Sequence, residues 1–278
     1  MPADRSKCAA FMALHRQPDI FVMPNPWDIG STRLMEGHGF PALATSSSAL
    51  AFTLGLRDAE MAVSRDLAIA HATHIAQSTA LPVSADLENG FGHEPIEVRE
   101  TVLRAIDAGL AGCSIEDFTT DPAMPLYPVD DAIERIVMAR QTIDETGLPF
   151  VLTIRCEAYL YDVEDPFSTV MTRLPAYADA GADVVYAPGM TKPAEIEALV
   201  REVDKPVNHL GGSGRRTLSV SQLQDLGVKR ISLGSNIARA AQGAMLRAMQ
   251  EITADGTFRF AHKAANHADI DPFLGMED

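Results

Sequence analysis

The sequence is short of cysteine, positive charge and long apolar runs, and each shortage excludes something. The 278 residues contain 3 cysteines, Cys8, Cys113 and Cys156, and no two form a CxxC pair. An odd, scattered set makes neither a disulfide framework nor a cysteine zinc site, which fits a reducing compartment. Lysine and arginine number 23 against 38 aspartates and glutamates, for a formal net charge of −15. Nucleic acid and anionic membrane surfaces both demand basic patches, so neither is expected as a partner. No apolar run approaches the roughly 20 residues of a membrane span, and residues 1–16 hold no signal-like apolar core. A cytoplasmic protein is expected. No Gly/Ser/Pro-rich linker divides the chain, and no dinucleotide-binding glycine fingerprint occurs.

What is present is a large apolar fraction, 46% of residues, arranged in alternating patterns. Short apolar runs bounded by Gly, Pro or Asn read as strands at 20–23, 42–45, 82–86, 112–116, 150–155, 183–186, 206–210 and 230–233. Periodic segments between them read as helices at about 27–38, 60–77, 95–108, 130–145, 167–180, 194–203, 220–226 and 236–251. An amphipathic helix at 5–16, with Cys8, Phe11, Met12 and His15 on one side, precedes them. Gly39, Gly109, Gly147, Gly181 and Gly227 fall where helices must end and the chain turn back. Eight successive β-then-α units predict an α/β protein, a single (β/α)8 TIM barrel over 1–278, with a C-terminal helix and tail from about 236. A doubly wound open sheet is the runner-up.

Barrel enzymes carry their chemistry at the C-terminal ends of the strands. Here those ends bear Ser46, Ser47, Asp86, Glu88, Glu116, Arg155, and Asn208 or His209, with Asp58 on a loop of the same face. Side chains alternate along a strand, which turns Asp86, Glu116 and Arg155 to the lumen and Cys156 away from it, as a buried structural thiol. Glu88 shares the face of Asp86 if the strand persists. Several acids around one arginine repel each other without a cation. Mg²⁺ suits them, with Mn²⁺ as the alternative, because it takes few carboxylates and leaves positions for substrate oxygens. No His/Cys set supports zinc. His71 and His74 read as surface or packing residues, His93 as exposed or supporting, and His209 as a candidate base. Residues 211–216, Gly-Gly-Ser-Gly-Arg-Arg, read as a flexible turn in preference to a phosphate site.

Ser46-Ser47, Arg57-Asp58, Asp86-Leu87-Glu88-Asn89-Gly90-Phe91-Gly92, Ile115-Glu116-Asp117, Ile154-Arg155 and the 227–234 run Gly-Val-Lys-Arg-Ile-Ser-Leu-Gly follow one another on successive strands. In that order they resemble the isocitrate lyase / phosphoenolpyruvate mutase superfamily, from Phe21 to about Glu251. The resemblance implies a barrel whose eighth helix is swapped between subunits of a homodimer or homotetramer. It implies Mg²⁺ held mainly by Asp86, with Glu88, Glu116 and Asp58 acting directly or through waters. The substrate would be a small 2-oxo or 2-hydroxy carboxylate, its carboxylate held by Ser46 and Ser47 and its oxyanion by Arg155. Asn208 is a further substrate contact, and Arg155, Asp58 and Glu116 are the catalytic candidates.

One loop departs from the pattern. Isocitrate and methylisocitrate lyases carry Lys-Lys/Arg-Cys-Gly-His after strand four. Here residues 118–128 read Phe-Thr-Thr-Asp-Pro-Ala-Met-Pro-Leu-Tyr-Pro, without Cys, Lys or His, and without the Lys- and Asn-containing loop of the mutases. Thr119, Thr120 and Tyr127 are its polar candidates. The expected function is a Mg²⁺-dependent lyase that cleaves a C–C bond, by retro-aldol reaction or decarboxylation, through a pyruvate-like enolate. The alternatives are P–C bond chemistry on phosphonopyruvate or phosphoenolpyruvate, and a non-catalytic metal–oxyacid binding protein.

Overall fold

The computed structural model describes residues 2–58, 62–161, 163–214 and 217–275. Eight strands form the centre: β1 (Phe21–Met23), β2 (Leu43–Ala44), β3 (Val83–Asp86), β4 (Gly112–Glu116), β5 (Val151–Arg155), β6 (Val184–Tyr186), β7 (Val207–Leu210) and β8 (Arg230–Ser232). All pairings are parallel, in the order β1-β8-β7-β6-β5-β4-β3-β2. The seam between β1 and β2 has no ladder. It is held instead by the Ala44 N–H, which donates to the Pro24 carbonyl at 3.0 Å. The buried Asn25 amide spans the same seam. Its nitrogen donates to the Thr45 carbonyl at 2.8 Å, and its oxygen accepts from the N–H groups of Leu233 and Gly234. The result is the nearly closed (β/α)8 barrel that the eight repeats predict.

Helices surround the strands: α1 (Arg5–Arg16), α2 (Ile29–Gly37), α3 (Ser47–Thr53), α4 (Arg65–Gln77), α5 (Pro95–Asp107), α6 (Val129–Thr146), α7 (Pro166–Asp179), α8 (Pro193–Glu202), α9 (Val220–Asp225), α10 (Asn236–Asp255) and α11 (His267–Leu274). Their starts follow local chemistry. Asp28 caps α2 in a capping box with Ser31, Ser64 caps α4, and proline opens α5, α7 and α8, where its missing N–H has no helical partner to lose. Gly147 ends α6 at φ 66°, a left-handed turn that returns the chain to β5. The outward strand residues Val83, Ala85, Cys113, Ile115, Leu152 and Ile154 are buried against this helical layer.

Three stretches differ from the sequence-based expectation. Helix α4 begins at Arg65, later than the predicted residue 60, which lies outside the described residues. Residues 47–53 form α3 where a loop was expected, with the Ser46 hydroxyl accepting from the Ala49 N–H. Two turns are too short to show a helical period, so local capping decided them. Past α10 the tail forms a 3-10 turn (Arg259–Lys263) and then α11, which returns to α2, where Phe273 stacks on His38 at 5.0 Å. The interior Pro272 hides α11 from pattern reading.

The two ends of the barrel differ. Helix α1 closes the bottom, burying Cys8, Phe11 and His15, while Met12 is half-buried. Helix α10 projects away: of its 20 residues only Ala238 is buried, and Met245, Leu246 and Met249 are exposed. Among the described residues no helix is long and apolar enough to cross a membrane.

Candidate active site

The predicted site residues converge. Ser46, Ser47, Asp58, Asp86, Glu88, Glu116, Arg155 and Asn208 all line one cavity of about 210 Å³ at the C-terminal ends of the strands. The lumen is polar below them as well, because the inward positions of β3, β4, β5 and β8 are Ser84, Ser114, Thr153 and Ser232.

Arg155 organises the mouth. Its Nη1 meets Asp86 Oδ1 at 2.9 Å, its Nη2 meets Glu116 Oε2 at 3.2 Å, and its Nε meets Glu157 Oε1 at 2.7 Å. Strand register explains the first two contacts. Glu116 lies beside Arg155 in the β4–β5 ladder, and Asp86 ends the neighbouring β3. One guanidinium shared among three acids cannot offset the desolvation of the two buried ones, Glu116 and Glu157. Burial therefore pushes Glu116 well above the usual carboxylate range and Glu157 up to about 7, although Arg155 acts in the opposite direction on both. Arg155 itself, surrounded by acids, is held firmly protonated.

Glu88 reaches the cavity by a route that strand alternation does not foresee. Strand β3 stops at Asp86, and Glu88 then adopts φ 48°, a left-handed conformation uncommon outside glycine. The turn remains stitched to β4: the Leu87 N–H donates to the Ser114 carbonyl and the Glu116 N–H to the Glu88 carbonyl. Gly90 follows at φ 88°, where an added Cβ would lie 3.1 Å from Val98 Cγ2. The Glu88 carboxylate has no hydrogen-bond partner among the described residues. Burial, then the charges of Asp86 and Asp58, push it up to about 8.

That repulsion is what a hard cation relieves. Asp86 Oδ2 accepts from the Ser47 N–H and hydroxyl at 3.0 and 2.9 Å, while among the described residues Oδ1 accepts from Arg155 alone. Among the described residues no three acidic, His or Cys side chains converge on one point. The donor set thus fits a cation that takes one or two carboxylates directly and fills its remaining positions with water, as Mg²⁺ does, and not a closed all-protein cage.

Several expectations need correction. His209, expected as a candidate base, is buried, does not line the cavity, and is lowered by burial to about 4. It alternates with Asn208 and Leu210, which do face the lumen. Asn208 sits on the floor, its oxygen accepting from Arg230 Nε at 2.8 Å and its nitrogen donating to the Ser232 hydroxyl at 2.9 Å. None of Thr119, Thr120 and Tyr127 lines the cavity. The 118–128 loop is a pinned hairpin: Phe118 bridges Leu126, the Thr119 N–H donates to the Pro125 carbonyl, and its hydroxyl donates to the Met124 carbonyl. The Tyr127 hydroxyl meets Asn89 and His93, tying the hairpin to the acidic turn. His71 bonds to the Trp27 carbonyl and His74 is exposed, so both are packing or surface residues. Arg215 and Arg216 lie outside the described residues.

The cavity residues that carried no predicted role include Asn25, Phe118, Glu157, Tyr161 and Arg230. Glu157 had a signal in its i+2 spacing from Arg155. Its backbone N–H donates to Asp117 Oδ1, and Asp117 is in turn held by Arg173 and Tyr177. Arg230 is buried and, among the described residues, has no carboxylate partner; it donates to Asn208, Thr153 and His15. The absence of a counter-charge lowers it to about 9 through burial.

A nearly closed parallel barrel with its polar and charged residues gathered at the strand ends has the architecture of the (β/α)8 enzymes. Comparison with known proteins specifies the family. The model of the phosphoenolpyruvate phosphomutase family matches residues 11–253, so the chain belongs to that family, within the isocitrate lyase / phosphoenolpyruvate mutase superfamily of lyases and mutases. A crystal structure from Burkholderia cenocepacia J2315, provisionally described as a lyase/mutase, superposes with a TM-score of 0.94 at 45% identity, covering 99% of this chain and 97% of that one. An uncharacterized Mycobacterium tuberculosis protein is 34% identical over 81% of this chain and 82% of its own length. The probable 2-methylisocitrate lyase 2 of Corynebacterium glutamicum is 29% identical over 92% of this chain and 83% of its own.

Proposed function

We propose that this protein is a Mg²⁺-dependent lyase that cleaves a C–C bond of a small 2-oxo or 2-hydroxy carboxylate through a pyruvate-like enolate. The observation that carries the reading is the Arg155 guanidinium, fixed by three acids at the mouth of an open cavity that Ser46 and Ser47 also line. Asp86 holds the metal, with Glu88, Glu116 and Asp58 acting directly or through water. When bound, Mg²⁺ supplies positive charge that pairs with the acid's oxygens. Ser46 and Ser47 would hold the substrate carboxylate beside Asp86, which the Ser47 N–H and hydroxyl contact here. Arg155 donates to the oxygen on which negative charge grows, so it binds the enolate oxygen more strongly than the ground-state ketone. The relationship to 2-methylisocitrate lyases supports C–C cleavage, and the cysteine-free hairpin argues for a different substrate from theirs. The test is turnover of an oxyacid panel by wild-type and Asp86→Ala protein, with Mg²⁺ and with chelator. Equal turnover in both proteins sinks the metal assignment.

The phosphomutase family match favours a second reading, P–C bond chemistry on phosphonopyruvate or phosphoenolpyruvate. Phosphorus NMR of either substrate with the enzyme decides it, and an unchanged spectrum counts against it. We also propose a homodimer or homotetramer that exchanges α10. The support is the apolar stripe of Met245, Leu246 and Met249, which leaves a large apolar face in water. Light scattering on a sizing column should show an oligomer that Leu246→Glu with Met249→Glu breaks, and a monomeric wild type would refute it.

A further inference from the structure

The outer end of the cavity is aromatic. Phe118, just past β4, and Tyr161, on the loop after β5, stack with ring centroids 3.8 Å apart and planes 6° from parallel. Both line the cavity, and so does Leu160, whose surface is 50% exposed. These loops leave the C-terminal strand ends, so the pair stands at the outer rim of the cavity that Arg155 also lines, as a roof. It is preformed, because Phe118 is 6% exposed and held by its bridge to Leu126 and by the Thr119 bonds across the hairpin. Among the described residues the Tyr161 hydroxyl has no hydrogen-bond partner, so it is available to whatever enters.

Charge decides what the roof accepts. The described cavity lining holds two cations, Arg155 and Arg230. Arg155 is committed to three carboxylates and, on the proposed reading, to the reacting oxygen. Arg230 lies at the opposite end, bonded to Asn208, Thr153 and His15 on the floor. The outer lining offers Phe118, Leu160, Tyr161 and Pro188, with Asp58 and Glu88 beside them. A second carboxylate placed there would meet acids and no further cation of the described lining, whereas a hydrocarbon would bury Leu160 and the part of Tyr161 that the stack leaves uncovered.

We propose that Phe118, Tyr161 and Leu160 form a specificity roof that accepts an apolar distal group, short aliphatic or phenyl, on a 2-oxo or 2-hydroxy monocarboxylate and rejects a second carboxylate. The assignment rests on the oxyacid reading of the mouth and narrows its substrate class. Calorimetry in Mg²⁺ tests it with N-benzyl oxamate and N-oxalylglycine, which share a 2-oxo acid head and differ in a phenyl or carboxylate tail, and with oxalate as head-group control. N-benzyl oxamate should bind about tenfold tighter or more. Tyr161→Ala should bring that ratio toward one, and Tyr161→Phe, which keeps the stack, should preserve it. If oxalate binds but N-oxalylglycine equals or exceeds N-benzyl oxamate, the roof assignment is overturned and the oxyacid reading stands. A folded Tyr161→Ala protein that weakens both analogues equally also overturns it. Should Tyr161→Ala not fold, the wild-type ratio decides alone. If oxalate and both oxamates fail to bind, the oxyacid reading falls and the roof with it.

Discussion

The mouth and the floor of this barrel each contain one guanidinium, the half-buried Arg155 and the buried Arg230, and they are compensated in opposite ways. At the mouth, Arg155 is surrounded by Asp86, Glu116 and Glu157. On the floor, Arg230 meets an amide, a hydroxyl and an imidazole, all neutral. The mouth carries more acid than cation and is poised to take up positive charge or proton. The floor carries a cation whose surroundings resist any further proton. His15 shows this: its Nδ1 faces the Phe11 carbonyl and its Nε2 faces Arg230 Nη1, an arrangement that requires a neutral ring. Polarity inside a barrel thus serves two purposes. On the proposed reading one end binds and reacts, and the other orients the strands that present the reactive groups.

The contrast can be broken or sharpened by measurement. The largest effect belongs to the mouth: Asp86→Ala should lower turnover of a responsive oxyacid by about 10²–10³-fold or more, as losing one preorganised contact to developing charge does elsewhere. Steady-state rates with Mg²⁺ check this. Next comes stability. Arg155→Met leaves two buried acids and the half-buried Asp86 without their cation and should cost about 3–5 kcal/mol, whereas Arg230→Met removes a cation and strands only neutral acceptors, about 1–3 kcal/mol. Urea unfolding of both variants compares them, and a larger loss for Arg230→Met would reverse the reading of the two ends.

A third effect follows from His15, lowered from an ordinary 6.5 to about 3 by burial first and by Arg230 second. The unfolded ring takes up a proton near pH 6.5 and the folded ring refuses it until about pH 3, so acid favours unfolding. The neutral ring's contribution is complete above pH 6.5 and is lost as pH falls toward 3, at up to about 1.4 kcal/mol per pH unit. The stability difference between wild type and His15→Gln should therefore shrink as pH drops through that window. A constant difference would show that the floor admits a proton. The smallest effect is at the thiols. Cys113 and Cys156 are fully buried, and burial pushes both up, Cys113 to about 12. Neither should react with iodoacetamide in the native protein, and Cys156→Ala should keep most of the activity, as mass spectrometry and kinetic assay can show.

Much of the site was legible along the chain because strands impose a period of two. That period turns Asp86, Glu116 and Arg155 toward one lumen whichever helices lie outside. Glu88 shows the limit: the residue was rightly placed, but a left-handed turn, and not a continued strand, carries it there. Asn208 was read as a mouth residue because a strand's end can be located only to within a residue or two, and its hydrogen bonds put it on the floor. Thr119, Thr120 and Tyr127 drew attention as polar side chains in the loop that replaces the lyase cysteine. The pinned hairpin turns them away and leaves Phe118 facing the cavity.

The amino-acid sequence by itself determined the eight-unit barrel and the acids and arginine at its strand ends, since hydrophobic period and glycine placement are local properties. Tertiary structure alone decided the partners. That Glu157 shares Arg155, that Arg230 has no counter-charge and that Tyr161 stacks on Phe118 are contacts between residues 2, 215 and 43 positions apart or more widely arranged in space. Such contacts depend on strand register and loop course around a closed sheet, and those are set only when the whole core packs.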